Sequence, residues 1–386
     1  MNLEVISVVL FFVTIGFLIY FDRKNIEFNK GLIIRRTRSG VRIISDFAKK
    51  YEKFLTYVGN FAVIVGIIAS ITGLGYLVYD TLMGRRSAGI VLPTVGSYQY
   101  PGPVFSVPFW YWIVAIFVVV SIHEPMHALF ARLGKVKIKN MGLFLFFVFP
   151  LGAFADPDEK QMKKLSITKK LRIFAAGSFG NLLVAGILII LVIGYNFLID
   201  SFITGDGIVF EKTIENTGAY EVGLKGMIIE INGYRIKYMS DFLNALTAVE
   251  PGDTIEIKTT EGLYQVKTTP NPEDPKRPFI GISEPKTLFI YKGLLGGLER
   301  VPDNTLNSIQ WSLGLLGWTF LLNFGVGVFN LFPIKPLDGG LMFEEIIKHF
   351  YKGRYANQIV NALSLIVLAI LLTNLFGQTI FSFVKL

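Results

Sequence analysis

The sequence predicts a polytopic α-helical membrane protein with about six transmembrane helices, one re-entrant segment and a small α+β domain. Hydrophobic residues make up 52% of the 386 residues and 34 residues are phenylalanine, which is too apolar for an ordinary soluble domain. Several apolar runs reach the roughly 20 residues that cross a bilayer as a helix. Between residues 205 and 284 the composition changes to that of a soluble domain. The lipid bilayer is therefore the first expected partner.

The spans follow from the apolar runs and from the charges between them. Residues 1–21 lack a basic segment and a cleavage site of small residues, so this run is expected to remain as a span. Lys and Arg outnumber Asp and Glu in residues 23–53, which places this loop in the cytoplasm by the positive-inside rule. Both termini are then expected outside. The further spans are predicted at residues 54–83, 109–133, 171–199, 306–332 and 360–384.

Residues 141–154 are apolar but too short to cross a bilayer. The segment contains Pro150 and Gly152, and lysines flank it on both sides. We expect it to dip into the membrane and return as a strand or loop beside the neighbouring span, because non-helical backbone at that depth must lie against protein. The alternative is an interfacial segment that lies flat on the membrane.

A histidine pair lies inside the apolar run of residues 109–130. His123 and His127 are four residues apart and Glu124 follows the first, so the segment reads H-E-x-x-H. On a helix both imidazoles share one face and can bind one metal ion, with Glu124 near a water on that ion. The alternative is a buried histidine pair satisfied by hydrogen bonds. Strongly polar side chains at membrane depth are costly, which favours the metal site.

The chain has no cysteine, so a zinc site must be built from histidine and carboxylate. The third ligand is predicted at Asp338, in the segment N-L-F-P-I-K-P-L-D-G-G. Pro333 and Pro336 end the preceding helix and leave Asp338 free to approach the membrane interior. The alternative is that Asp338 only caps the following helix. In that case Asp156 and Asp158 are the next candidate ligands.

The soluble part of the chain has the pattern of strands around one short helix. Asn232-Gly233 is a type I′ hairpin signal, and Ser240 is predicted to N-cap a helix that runs to about Ala248. Together with two glycine-led segments these features resemble a PDZ domain of membrane and secreted proteases. The resemblance implies a possible partner, a peptide or chain end gripped by strand addition. The alternative is a domain that only spaces or shields the membrane core. The glycine-led segments are residues 207–210 and 223–229, and strand patterns follow at residues 254–258 and 263–266.

From residue 109 onward the chain resembles the site-2 proteases, the intramembrane zinc metalloproteases. H-E-x-x-H on one span, a small-residue element with an asparagine on the next, an inserted PDZ-like domain and N-x-x-P-x-x-P-L-D-G occur in the order of that family. The resemblance implies Zn²⁺ as the cofactor and Glu124 as the general base. The zinc ligands that it implies are His123, His127 and Asp338.

Two asparagines complete the resemblance. It implies that Asn181 and Asn330 hold or polarise the substrate backbone, whereas the alternative is that both make polar contacts between helices. Ser178 stands where proline is common in the small-residue element, residues 176–181.

The sequence predicts three regions. They are a transmembrane region with H-E-x-x-H at residues 1–204, the PDZ-like domain at residues 205–286, and a transmembrane region with L-D-G at residues 287–386.

The predicted function is therefore hydrolysis of peptide bonds in or near the transmembrane segments of membrane-protein substrates. The protein is expected in the cell membrane, with the PDZ-like domain outside the cytoplasm and the zinc site open toward the cytoplasm. A non-catalytic binding protein that acts through the PDZ-like domain is the alternative. A zinc transporter is disfavoured because the sequence has no internal repeat. Nucleic-acid binding is disfavoured because the positive charges cluster beside apolar runs.

Overall fold

The computed structural model describes residues 3–29, 32–37, 39–146, 149–292 and 299–384. Residues 147–148 of the predicted re-entrant segment lie outside this set, as do residues 1–2 of the first predicted region and residues 293–298 and 385–386 of the third. The chain forms two compact units, which are residues 1–192 with 312–386, and residues 193–311.

Helices carry most of the described chain. Six of the described helices are long and apolar enough to cross a membrane, as the sequence predicts. Large apolar side chains such as Phe61, Ile64 and Ile68 point outward from the third helix, which suits contact with lipid. The helices are α1 (Leu3–Asp22), α2 (Ser39–Lys50), α3 (Glu52–Leu82), α4 (Phe109–Leu133), α5 (Glu159–Lys163), α6 (Ile167–Phe202), α7 (Gly218–Glu221), α8 (Met239–Leu246), α9 (Asp303–Asn330), α10 (Asp338–Phe350) and α11 (Ala356–Val384).

The strands form one sheet in each unit and two small pairs. They are β1 (Ile26–Asn29), β2 (Leu32–Thr37), β3 (Ile90–Thr94), β4 (Val104–Pro108), β5 (Ile138–Phe146), β6 (Phe149–Pro157), β7 (Ile203–Val209), β8 (Ile228–Ile231), β9 (Tyr234–Arg235), β10 (Thr254–Thr259), β11 (Leu263–Lys267), β12 (Thr269–Pro270), β13 (Pro278–Phe279) and β14 (Lys286–Tyr291). The pairs are parallel β3–β4 and antiparallel β12–β13.

The four-stranded sheet of the first unit combines the predicted re-entrant segment, which was expected as a strand or loop, with a stretch that the sequence predicted as a loop. Strands β5 and β6 form an antiparallel hairpin from the predicted re-entrant segment. Strands β1 and β2 come from the basic stretch of residues 23–53, which the sequence predicted as a loop, and β2 pairs with β5 in register Ile34↔Phe144. The order β1-β2-β5-β6 leaves β6 at an edge.

The sheet of the second unit has the order β11-β10-β8-β7-β14, with β9 paired to β8. Isoleucines of β7, β8 and β10 form its core with Phe242 of α8. The hairpin between β8 and β9 turns at Asn232 and Gly233, whose φ angles of 48° and 79° suit the predicted type I′ turn. The sheet extends from Ile203 to Tyr291, a few residues beyond both predicted borders of this domain.

The start of α8 differs from the prediction that Ser240 caps it. The helix begins at Met239 and its N-cap is Tyr238. Asp241 supplies the capping carboxylate, because its Oδ2 accepts from the backbone N–H groups of Lys237 and Tyr238, both at 3.0 Å. A carboxylate in the first turn also suits the positive end of the helix dipole.

The outer edge of β14 is partly filled by the chain itself. Val301 donates its backbone N–H to the carbonyl of Phe289 at 2.9 Å, and Tyr291 donates to the carbonyl of Glu299 at 3.0 Å. Val301 is fully buried. The last three residues of β14 therefore already have a short antiparallel partner on the side away from β7.

Candidate metal centre

The two histidines of α4 lie on one face of the helix, as their spacing predicts. His127 Nδ1 lies 2.7 Å from the backbone carbonyl oxygen of Ile173 on α6. A carbonyl oxygen can only accept, so the Nδ1 atom carries the proton and a neutral His127 presents a lone pair at Nε2. A second hydrogen bond of this kind is the usual means by which a protein orients a metal-binding histidine.

Helix α6 approaches α4 closely because its facing residues are small. A Cβ atom added to Gly177 would lie 2.3 Å from His127 Nε2, and one added to Gly180 would lie 2.8 Å from Met126. Glycine is therefore required beside the imidazole, since any side chain at residue 177 would occupy the space in front of its metal-binding nitrogen.

Replacement of Gly177 by alanine is expected to displace His127, with loss of zinc and a fall in proteolytic rate of roughly 10²-fold, the size expected for a displacement of about 1 Å at a reacting site. Gly186→Ala is the matched control, because it lies on the same helix and a Cβ there meets nothing within 4 Å. Zinc content and cleavage rate are measured for both. Wild-type zinc content and rate in Gly177→Ala would contradict this role for the glycine.

Asp338 reaches the histidines from the first turn of α10. Its Oδ2 lies 3.4 Å from His123 Nε2 and 3.3 Å from His127 Nε2. The residue that caps α10 is Leu337, so the reading of Asp338 as only a helix cap is wrong. The helix N-terminus favours the charged carboxylate.

The two glycines after Asp338 permit this placement. A Cβ atom on Gly339 would lie 1.9 Å from the carbonyl oxygen of Leu331, and one on Gly340 would lie 2.5 Å from backbone atoms of Ile334. The start of α10 thus packs directly on the backbone that follows α9. Glycine is required at residues 339 and 340 for this close packing, and the packing places the Asp338 carboxylate beside the histidines.

The spacing of the three donor atoms fits a zinc ion. The Nε2 atoms of His123 and His127 lie 3.2 Å apart, and each lies 3.3–3.4 Å from Asp338 Oδ2. Ligand atoms about 2.0–2.1 Å from a tetrahedral ion lie roughly 3.3 Å from one another. The three side chains are mostly buried, with 12–17% of their surface exposed. They can hold one ion at three corners of a tetrahedron and leave the fourth corner open.

Glu124 is held by the edge strand of the sheet. Its Oε2 accepts a hydrogen bond from the backbone N–H of Ala155 on β6 at 3.1 Å. Strand β6 is at the edge of the sheet, so the carboxylate next to the first histidine is fixed at that edge.

Ser178 is a site residue that sequence reasoning missed. Its hydroxyl donates to Asp338 Oδ2 at 3.0 Å, and the residue is fully buried on α6. The sequence marked Ser178 only as a departure from a proline that is common in the family. That departure was the available signal, because a hydroxyl in place of a proline at membrane depth needs a partner.

The predicted substrate-binding asparagines are in different surroundings. Asn181 on α6 is fully buried, and among the described residues neither its Oδ1 nor its Nδ2 has a hydrogen-bond partner. Asn330 is the half-buried last residue of α9.

The two alternative candidates for the third ligand, Asp156 and Asp158, lie outside the histidine cluster. Asp156 lies on β6, and Asp158 caps α5 by accepting from the Gln161 N–H at 3.0 Å.

Ion pairs hold the rest of α10 in place. Glu345 pairs with Lys170 of α6 at 3.0 Å. Glu344 accepts from Lys335 and Lys348 at 2.8 and 2.6 Å. Burial raises the pKa of the Glu344 carboxyl, but the hydrogen bonds from the two lysines outweigh burial and hold this pKa below its ordinary value. The stabilising contribution of the two Glu344 pairs is therefore lost as the pH falls through that lowered pKa.

The chain is similar to known proteins over most of its length. A model of Peptidase family M50 matches residues 111–374, more than half of the chain. The chain is 26% identical to an uncharacterized protein of Methanocaldococcus jannaschii over 95% of its own length and 93% of that protein. It is 25% identical to a putative zinc metalloprotease of Campylobacter jejuni over 70% of its own length and 91% of that protein.

A solved structure also matches part of the chain. It is the PDZ domain of an SdrC-like protein from Listeria monocytogenes, which is 27% identical, with a TM-score of 0.17, over 20% of this chain and 85% of that domain. The match to the family model covers α4, α6, α9 and α10, which carry the histidines, Gly177, Asn330 and Asp338. The chain therefore belongs to Peptidase family M50, the site-2 protease family, and is a multi-pass membrane protease.

Proposed function

We propose that this protease is a zinc endopeptidase that hydrolyses peptide bonds in or near the transmembrane segments of membrane-protein substrates. The observation that carries the proposal is the set of three donor atoms 3.2–3.4 Å apart with Glu124 beside it. Two of the donors and Glu124 lie on α4, which is long and apolar enough to span the bilayer. A site on such a helix is suited to a bond at membrane depth.

The residues of the chain divide the chemistry between them. Zinc, when bound, supplies a Lewis acid that polarises a peptide carbonyl and acidifies water. His123, His127 and Asp338 hold the ion, and Ser178 and the Ile173 carbonyl orient two of these ligands. Glu124 accepts the proton of the attacking water and delivers it to the leaving amine. The N–H of Ala155 keeps the Glu124 carboxylate aimed at this position.

The substrate must be unwound before it is cleaved, because the carbonyls of a helix are hydrogen-bonded and shielded by side chains. Strand β6 is the edge strand of the sheet and lies at the metal centre, since α4 packs against it and its Ala155 N–H bonds to Glu124. An unwound segment added to this edge keeps its backbone groups hydrogen-bonded where lipid provides no partners. The side-chain amide of Asn181 on α6 has no hydrogen-bond partner among the described residues. It is available to backbone groups of the substrate that β6 does not bind.

The test is cleavage of a transmembrane peptide by the full-length protein reconstituted in lipid vesicles. We expect cleavage within or beside the apolar stretch, loss of activity with a zinc chelator, and recovery when zinc is returned, because the three ligands bind an exchangeable ion. Activity that survives complete removal of the metal would contradict the proposal. Cleavage of only water-soluble peptides would contradict the proposed substrate class.

The proposed orientation places the PDZ-like domain outside the cytoplasm and opens the metal centre toward the cytoplasm. The basic stretch between α1 and α3 supports it by the positive-inside rule. Because the chain lacks cysteine, a single introduced cysteine shows directly on which side of the membrane its residue lies. Lys225→Cys is expected to react with an impermeant thiol reagent on intact cells, whereas Lys49→Cys reacts only after lysis. Both lysines are exposed, and the reverse pattern would invert the orientation.

The alternative, a binding protein that acts only through the PDZ-like domain, has less support. Strand addition to that domain needs a free edge beside its helix, and β14 is the edge strand whose Thr287 contacts the start of α8. Residues 299–301 already pair with the second half of this edge. We therefore propose that the domain screens substrates by the size of their external segment, and that it takes peptide ends at most along the first half of β14.

A further inference from the structure

A cavity of about 470 Å³ lies on the face of the four-stranded sheet that carries Phe144 and Phe154. Leu32 and Ile34 of β2 line the same cavity. Side chains alternate between the two faces of a strand, so Met141 and Ala155 point to the opposite face, where they pack against the residues of α4. The cavity therefore lies on the face of the sheet away from α4, and it shares strand β6 with the metal centre, since Ala155 lines the cavity and also donates its N–H to Glu124.

Two phenylalanine–glycine pairs shape the floor of this cavity. The ring of Phe144 lies over Gly152, where an added Cβ would be 2.8 Å away. The ring of Phe154 lies over Gly142, where an added Cβ would be 2.6 Å away. Each ring thus covers the glycine on the neighbouring strand. The Phe144 ring, which starts from β5, therefore lies over β6, the strand at the edge of the sheet.

Two charged residues line the cavity, Arg36 and Asp156, and the charge of Arg36 is already compensated. The Arg36 guanidinium lies 5.4 Å from the centre of the Phe154 ring and donates to Glu27 at 3.1 Å. A cation held in this way does not call for an acidic ligand. The part of the lining formed by Leu32, Ile34, Phe144 and Phe154 is aromatic and aliphatic, so this part of the cavity suits a bulky apolar group.

The position of Glu124 relates this cavity to the cleavage site. Glu124 meets the edge of β6 at Ala155, so a substrate strand added there has its reacting bond close to the residue opposite Ala155. Directly opposed residues of paired strands share a face of the sheet. The substrate residue opposite Phe154 is next along the chain, and its side chain points to the face with the cavity.

We infer that the cavity is a specificity pocket for a bulky apolar side chain of the substrate, one or two residues from the cleaved bond. This inference rests on the proposed function and names a preference of the same site. Phe144 determines the size of the side chain that fits, because its ring lies over Gly152 of β6, next to the added strand. The pocket explains how a protease can choose one bond in a uniformly apolar transmembrane segment.

The experiment uses the full-length protein in lipid vesicles and a transmembrane peptide whose cleaved bond has been mapped by mass spectrometry. Each of the three residues on either side of that bond is replaced in turn by Phe, Leu, Ala and Asp, and kcat/KM is measured. We expect one position to prefer Phe or Leu over Ala by about tenfold, the usual scale for a large group in an apolar pocket.

Two enzyme variants then assign that preference to the cavity. Phe144→Ala is expected to lower kcat/KM about tenfold for the Phe peptide and to leave the Ala peptide unchanged. Ile34→Phe fills the β2 side of the cavity beside Phe144 and is expected to reduce the preference for the Phe peptide over the Ala peptide. A changed preference at an unchanged rate for the Ala peptide is an effect that loss of stability does not produce. Leu143→Ala is the matched control, because Leu143 is adjacent on β5 and points to the other face.

The outcomes separate this inference from the proposed function. A wild-type protein that does not cleave the peptide contradicts the function. Cleavage by the wild-type protein with the same residue preferences in Phe144→Ala, Ile34→Phe and Leu143→Ala overturns the pocket and leaves the function standing. A cavity filled only by lipid gives this second result.

Discussion

Glu124→Gln is expected to abolish proteolysis while the protein keeps its zinc. Glutamine has nearly the same shape and its Oε1 atom can still accept from the Ala155 N–H, so the local structure is preserved. It cannot take a proton from water. Loss of a general base costs roughly 10²- to 10⁴-fold in rate. The measurement is kcat on a transmembrane peptide, with zinc content of the same preparation.

The control for this variant is Glu159→Gln. Glu159 is an exposed residue in the first turn of α5, and its replacement changes the net charge by the same amount. We expect wild-type rate and zinc content there. Cleavage by Glu124→Gln at a rate near that of the wild type would remove Glu124 from the role of base.

Removal of any one of the three ligands is expected to lower bound zinc well below one ion per chain. His123→Ala, His127→Ala and Asp338→Ala each delete one of the donor atoms of the cluster. Three protein ligands are the minimum found in open zinc sites. The affinity should therefore fall by more than the roughly 10- to 100-fold lost when a residue that only orients a ligand is removed. Zinc content after dialysis against a graded chelator measures this.

Asp156→Asn and Asp158→Asn are the controls for Asp338, because both are nearby carboxylates that the structure places outside the donor cluster. They are expected to keep the zinc affinity of the wild type. Full zinc occupancy in Asp338→Ala together with loss in Asp156→Asn would move the third ligand to β6.

Local sequence patterns were sufficient for the membrane helices and for the histidine pair. Spanning helices are visible in sequence because each satisfies its own backbone hydrogen bonds and needs only an apolar run of sufficient length. His123 and His127 share a face through the helical repeat alone. The hairpin turn at Asn232 and Gly233 is likewise set by local backbone preference.

Features that join distant parts of the chain were not readable in this way. The basic stretch that sequence assigned to a loop supplies β2, which pairs with β5 across a long separation. The cap of α8 depends on Asp241 rather than Ser240, because both can act as caps and the surrounding packing decides between them. Residues 299–301 hydrogen-bond to the outer edge of β14, although their sequence shows no strand pattern.

The sequence by itself determined that this protein is a membrane-embedded member of a metalloprotease family, and it named His123, Glu124, His127 and Asp338 as the residues to examine. Only the tertiary structure decided that Asp338 meets the histidines at 3.3–3.4 Å, that Ser178 orients it, and that Glu124 is held by β6. The physical reason is that helical spacing acts within one segment. Contacts between segments depend on how closely their backbones approach, which here is set by glycines whose effect appears only in the packed molecule.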